Sequence, residues 1–481
     1  MRFPQARGHL ADADGSPHGM AWLRLLATLA VLVPVLVVPP AGCSSGLECR
    51  SHSSSGDVVI GGLFPVHYLG EPGRCTVRQS RWGTMLSEAF LYAVELVNRR
   101  ADLLPNVTLG YELRDDCRSD DLALWHALSL VNALNPAEAS GLCQPLPRPK
   151  VLGLIGTSET PTSIVVAKAA ALYKVPLVSY SASGDELGDE FRFPYFFRTV
   201  PQNNLQVQAM MDILHTYGWV YVALLHATES DYLHSALRFQ EIAPAYNVCV
   251  AYSAAIRATA DEAEVAQIVG DLDRYPKART VVIIGDKFTG LKVLHAASAA
   301  GMVGRHQWLG NNRWGYLAAE EGVVDIADGA IFIRSLNEPV DGFAEFVRAK
   351  RPEDPGISPW LRDLQLATMA QQDCTDLTRC PLEVGSSGAA VVDSVHAVAE
   401  ALHDYWTAQC SGAALGDDCP LSNVLQGAEG QAGLGGTFEE GFLGALFNVS
   451  YRGAGGGQVH FDSAGNSGGR FSITNLRRGE E

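Results

Sequence analysis

The chain has 481 residues, well past the length at which one core keeps growing, so two lobes are expected. Its 36 Lys and Arg against 53 Asp and Glu give a formal charge of -17, which argues against binding a phosphate backbone and so against nucleic acid. With 47% hydrophobic residues, the composition is that of a folded protein rather than a disordered one.

Arg2, Arg7 and Arg24 precede the apolar run Leu25 to Val38, which Pro34 interrupts and which Pro39, Pro40, Ala41, Gly42 and Cys43 follow. That run is too short to cross a bilayer and has the form of a signal-peptide core, so export is expected. Met20 is an alternative start, and a lipoprotein cleavage site at Cys43 fits poorly because of Pro40. A Ser-rich linker ends near Ser55, and the continuous apolar run Val58 to Leu63 predicts a buried strand. Trp82 to Arg100 carries Met85, Leu86, Ala89, Phe90, Ala93 and Val97 at helical spacing. Thr108 to Arg114 alternates as a strand does, and Leu122 to Leu134 is helical.

Val151 to Ser183 reads as strand, polar turn, helix and strand, with hydroxyls at both strand ends: Thr157, Ser158, Thr160, Thr162 and Ser163, then Ser179, Ser181 and Ser183. Strand ends and helix N-termini in a parallel sheet form a crevice suited to small anionic or zwitterionic ligands. A second series of the same kind follows Phe196 to Pro201. Its strands are Val220 to Leu225, Cys249 to Ser253 and Thr280 to Gly285, and its helices are Leu205 to Tyr217, Tyr232 to Ala243, Ala263 to Leu272 and Phe288 to Ala300. Alternation of this kind predicts an α/β fold with mostly parallel sheets. Trp308 to Trp314 and Ala330 to Ser335 read as connections back to the first unit, and Ala389 to Tyr405 as a long helix. Within and just after the Gly-rich stretch Gly427 to Gly469, Val459, Phe461, Phe471 and Ile473 flank a turn at Gly465-Asn466 and predict a hairpin.

Ten cysteines in an exported chain are read as disulfides before metal ligands, and no CxxC pair or His-rich cluster suggests zinc. Asn106 and Asn448 open glycosylation sequons. No P-loop or HExxH run is present, so neither an enzyme nor a cofactor is expected. His226 and His234, which flank Glu229 and Asp231, read as a solvated loop and helix start.

The segments Leu103 to Gly110, Arg114 to Cys117, Phe197 to Pro201, Gln208 to Met210, Trp219 to Val222, Ser358 to Trp360 and Val459 to Asp462 resemble, in order, the extracellular region of metabotropic glutamate receptors. The resemblance covers Gly56 to Leu476. It implies a class C receptor Venus-flytrap module of the periplasmic-binding-protein-like type I fold, with two α/β lobes joined by three crossings. The implied layout is a leader at 1–42, a linker at 43–56, a first lobe from 57–200 and 335–445, and a second lobe from 201–334. Residues 446–481 complete the second lobe and hinge and end in the hairpin.

The same resemblance implies the pairs Cys75 with Cys117, Cys374 with Cys380, and Cys410 with Cys419, and a link between protomers at Cys143. Cys249 resembles the cysteine that bonds to a following cysteine-rich domain, and Cys43 and Cys49 are left to a local pair or to the leader. For the ligand, the resemblance implies a first-lobe cradle of Thr160, Ser181 and Ser183, faced by Tyr232 across the cleft. Thr160 reads equally as a helix cap. Asn203 and Asn312 stand where the family has carboxylates, and Leu86 and Ser387 where it has the cations that hold a distal acid. Glu159 is a candidate for the missing negative charge, and Trp82 with Leu86 favours an apolar or neutral distal group.

The expected protein is therefore a receptor ectodomain, a disulfide-linked homodimer closing on a neutral amino acid rather than glutamate. It signals through a membrane portion beyond this chain. A soluble solute-binding protein of the same fold, or a partner that has lost binding, are the alternatives.

Overall fold

The structure, a computed structural model, describes residues 50–70, 74–131, 151–311, 323–336, 338–374, 377, 379, 382–385, 388–410 and 438–477. The first strands are β1 (Ser51–Ser54), β2 (Val58–Phe64), β3 (His67–Leu69), β4 (Cys75–Gln79), β5 (Leu109–Asp115), β6 (Leu154–Ile155), β7 (Leu177–Ser179) and β8 (Phe196–Arg198). Six of them form one sheet in the order β1-β5-β2-β6-β7-β8, parallel except at the β1 edge, while β3 and β4 pair with each other. Helices α1 (Arg81–Arg99), α2 (Asp120–Leu130) and α3 (Thr160–Leu172) make the crossovers.

The second sheet begins with β9 (Tyr221–Ala227), β10 (Cys249–Ile256), β11 (Thr280–Ile284), β12 (Gln307–Gly310) and β13 (Ile331–Ser335). Helices α4 (Asn203–Thr216), α5 (Ser230–Ile242), α6 (Glu262–Gly270), α7 (Lys287–Ala299) and the short α8 (Val323–Ile326) accompany it. The chain then adds α9 (Phe343–Ala349), α10 (Pro359–Gln371), α11 (Ala389–Cys410) and α12 (Phe438–Phe447). Last come β14 (Ser450–Arg452), β15 (Gln458–His460) and β16 (Phe471–Asn475). The sheet order is β10-β9-β11-β12-β13-β16, with only β16 antiparallel. The chain is thus an α/β protein of two mostly parallel sheets flanked by helices.

Burial explains these elements. The apolar positions of α1 (Met85, Leu86, Ala89, Phe90, Ala93 and Val97) pack against Val391, Val392, Val395 and Val398 of α11 in one core. Each of the larger side chains among them contributes roughly 1.5–3 kcal/mol when fully buried. Ser80 caps α1 by accepting from the Gly83 N–H at 3.1 Å.

Three differences from the sequence reading have physical causes. Residues 307–310 and 331–335 are strands of the second sheet, not connections, because both runs are covered on their two faces. The polar β1 (SHSS), read as linker, is an edge strand on β5, where only one side needs pairing and polar side chains cost little. The turn at Gly465-Asn466 forms, with Gly465 at φ +72° and the Asp462 carboxylate accepting from the Ala464 and Asn466 N–H groups. Its flanking strands part, however: β15 pairs with β14, and β16 leaves to pair with β13.

The chain passes between the sheets three times. It leaves the first sheet after β8. It returns between Ser335 and Phe343, which packs in the first core, and crosses again between Phe461 and Phe471. The crossings are tied side by side: Arg198 N–H donates to Gly465 O at 3.0 Å, Ser467 N–H to Arg198 O at 3.0 Å, and Leu336 N–H to Arg470 O at 2.8 Å.

Candidate functional site

The carboxyl ends of β6 and β7 bring the two hydroxyl clusters together. Thr157 and Ser163 share a hydrogen bond at 2.8 Å, and Ser179 donates to Thr157 O at 2.9 Å. Ser179 Oγ in turn accepts from the N–H groups of Ser181 and Ala182, which stiffens the loop after β7. Thr160 does not cap its helix. Glu159 is the N-cap residue of α3, Pro161 lies in the first turn, and Thr160 Oγ1 accepts from Gly184 N–H at 3.1 Å. Thr160 keeps its own proton to donate. Ser183 is half-buried, and its carbonyl accepts from Asn203 N–H at 2.9 Å, joining the cradle to the start of α4.

The second lobe answers with the first turn of α5. A small cavity of about 30 Å³ is lined by Ser183, Asn203, Asp231, Tyr232 and Asn311 among others. Asn311 is 4% exposed, and its Oδ1 has no hydrogen-bond partner. The Asp231 carboxylate reaches across: its Oδ1 lies 2.6 Å from where a Cβ on Gly184 would stand, and Thr160 Cγ2 lies 2.5 Å from the same point. Asp231 therefore belongs to the cleft and not to a solvated loop. It supplies a negative charge on the side where Asn203 does not. Asn312, the other amide position, lies outside the described residues, as does Ser387.

Arg198 lies beneath the cradle with no exposed surface. Its guanidinium donates to Gly184 O at 2.7 Å, Asn466 Oδ1 at 2.7 Å, Ala182 O at 3.4 Å and Gln202 Oε1 at 3.4 Å. One side chain thus joins the loop after β7 to the first and third crossings. Burial pulls its pKa down to about 10, against the carboxylates of Asp185, Asp462 and Asp231, which support the charge. Burial also pushes the Asp185 carboxyl up, opposed by the Asn204 N–H that it accepts and by Arg198. The Phe-Arg-Thr-Val-Pro segment marked this place in the sequence, but nothing marked the arginine as buried.

The distal corner differs from its expected form. Leu86 is 2% exposed and packs inside the first core, so it lines no cleft. Trp82 is half-buried, and the Arg118 guanidinium lies 5.6 Å from its ring and 5.2 Å from that of Tyr68. Arg118 directly follows Cys117, whose disulfide to Cys75 holds the turn after β5. Sequence reasoning passed over Arg118 and Asp116, though two charges beside a disulfide at a strand end were a usable signal.

Of the remaining positions, Glu159 is half-buried at the mouth of α3. Cys374 is disulfide-bonded, while Cys143, Cys380 and Cys419 and the side chain of Cys410 lie outside the described residues. Cys249 is an exposed free thiol, and Asn106 and Asn448 are both exposed.

The chain spans about half the length of the curated relatives it matches. Metabotropic glutamate receptor 8 of Homo sapiens is 32% identical over 445 residues, covering 87% of this chain and 47% of that receptor. Metabotropic glutamate receptor 6 of Oryctolagus cuniculus is 32% identical over 482 residues, covering 93% and 53%. A metabotropic glutamate receptor of Drosophila melanogaster is 29% identical over 488 residues, covering 89% and 50%. The family model described as "Receptor family ligand binding region" matches residues 85–479. With two mostly parallel sheets, three tied crossings and a cradle between them, the chain belongs to this receptor ligand-binding family, as an extracellular ligand-binding region of the class C G-protein-coupled-receptor type.

Proposed function

We propose that the two lobes close on a small zwitterion of amino-acid type, and that closure is the signal this region passes to a membrane portion. The observation that carries the reading is the unpartnered Asn311 Oδ1, buried at a cavity that both lobes line. An acceptor there, beside Asp231 and the ring of Tyr232, suits an ammonium group. Thr160 and Ser183 across the cleft suit the carboxylate. Trp82, Glu159 and Ser181 frame the cradle from the first lobe. A ligand shifts open to closed only by contacting both lobes, and these residues sit on both sides.

The protomers form a cell-surface homodimer linked at Cys143 in this proposal, and reduction should release monomers on a non-reducing gel. Calorimetric titration of the secreted chain with acidic, basic and neutral amino acids tests the binding reading. Heat is expected with neutral amino acids, and Asn311→Leu should weaken it at least tenfold. No heat with any amino acid would sink the reading and favour a partner that has lost binding.

A further inference from the structure

Past Thr160 the carboxyl edge of the first sheet runs from β6 across β2 to β5. That is two strand spacings, roughly 10 Å. At its end the sequence Asp115-Asp116-Cys117-Arg118 turns away from β5. Asp115 is fully occupied, accepting from the N–H groups of Val66, His67 and Cys117 and pairing with the His67 ring. Asp116 is not. It is 1% exposed, its Oδ1 accepts from Arg118 N–H at 2.9 Å, and its Oδ2 is buried with no partner. Arg118 Nε is likewise buried without a partner, while the guanidinium rests against Trp82 and Tyr68. The charges of Arg118 and of Glu159, the residue before Thr160, both act on the Asp116 carboxyl.

A buried acceptor and a buried donor, neighbours yet both unmet, call for one group that offers a donor and an acceptor at once. An anionic group would satisfy Arg118 but face Asp116 and Glu159. A cationic group would satisfy Asp116 but face Arg118. An apolar group would leave both atoms unmet. A primary carboxamide meets both, its oxygen accepting from Arg118 Nε and its NH₂ donating to Asp116 Oδ2. Resting on the amino-acid reading above, we infer that Asp116 and Arg118 form the specificity end of the site and select a carboxamide side chain. They take the place of the cations that Leu86 and Ser387 do not supply.

The test is calorimetric titration of the whole secreted chain with L-glutamine, L-glutamate and L-norvaline, alongside Asp116→Asn and Arg118→Gln, with melting temperatures to confirm folding. Glutamine should bind at least tenfold more tightly than either of the others. Asp116→Asn should weaken glutamine about tenfold, leave norvaline unchanged, and bring glutamate level with glutamine by removing the opposing charge. If norvaline matches glutamine in the parent chain, the two polar atoms are met by water and the inference fails. It fails equally if glutamate binds most tightly. Absence of heat with all three strikes the amino-acid reading itself, and this inference with it.

Discussion

Arg198 shows how much can hang on one side chain. It is fully buried and holds the carbonyls of Ala182 and Gly184, the amide of Asn466 and the side chain of Gln202. Arg198→Met keeps most of the volume but leaves those acceptors unmet, and should cost about 3–5 kcal/mol, as removal of one partner from a buried charged network does. A denaturant midpoint unchanged from the parent would refute that role. Asp116 gives a second residue-scale prediction. Burial pushes its carboxyl up to about 7, with Asp115 and Glu159 adding to the rise and the N–H and charge of Arg118 opposing it. A carboxyl that holds its proton more tightly folded than unfolded makes stability fall as pH rises from the ordinary carboxylate range to about 7. Asp116→Asn should therefore be more stable than the parent at pH 8, by on the order of 2 kcal/mol, with the gap narrowing towards pH 4. His396, which burial holds down at about 4, titrates in the opposite sense. The comparison is thus between variant and parent at each pH. A gap independent of pH would mean that the Asp116 carboxyl titrates alike in the folded and unfolded chain, and that burial does not raise it.

At the scale of elements, the loop after β7 and the first turns of α3 and α5 make the cleft, and their closeness depends on Gly184. Its φ of -59° is open to any residue, so the demand for glycine is purely one of space. A Cβ there would stand 2.5 Å from Thr160 Cγ2 and 2.6 Å from Asp231 Oδ1. Gly184→Ala should hold the lobes apart, enlarge the radius measured by small-angle scattering, and weaken amino-acid binding at least tenfold with little loss of folding stability. Unaltered affinity would show that the lobes need not meet here. The turn after β5 depends in a similar way on the disulfide between Cys75 and Cys117, residues 42 apart in sequence. Replacing both with serine should cost about 2–4 kcal/mol and loosen Asp116 and Arg118 together. Thermal unfolding of the secreted variant measures the cost.

At the scale of the molecule, three crossings tied edge to edge let two sheets approach as bodies. The buried cluster around Arg198 joins the loop after β7 to the first and third of them. The two α/β units and their order were legible in the sequence, because strands buried on both faces must be continuous apolar runs and crossover helices must repeat an apolar stripe. Val58 to Phe64, Thr280 to Ile284 and Ala389 to Cys410 announce themselves in this way. The hydroxyl-bearing loops around Thr160 and Ser183 were legible too, since polar residues after a buried strand mark its end.

Contacts between residues distant in sequence left no such mark. Phe471 and Ile473 read as half of a hairpin because alternation fixes a strand but not its partner, and the fold gives them to β13. Leu86 read as cleft wall and is core, while Asp231 read as solvated and faces Thr160 across the cleft. Arg118, Asp116 and Arg198 gained their surroundings from elements up to 268 positions away. Periodicity and turn chemistry are local, so the sequence by itself determined the elements, the two lobes and the family. Which charges meet across a cleft depends on how the lobes pack, and only the tertiary structure decided that.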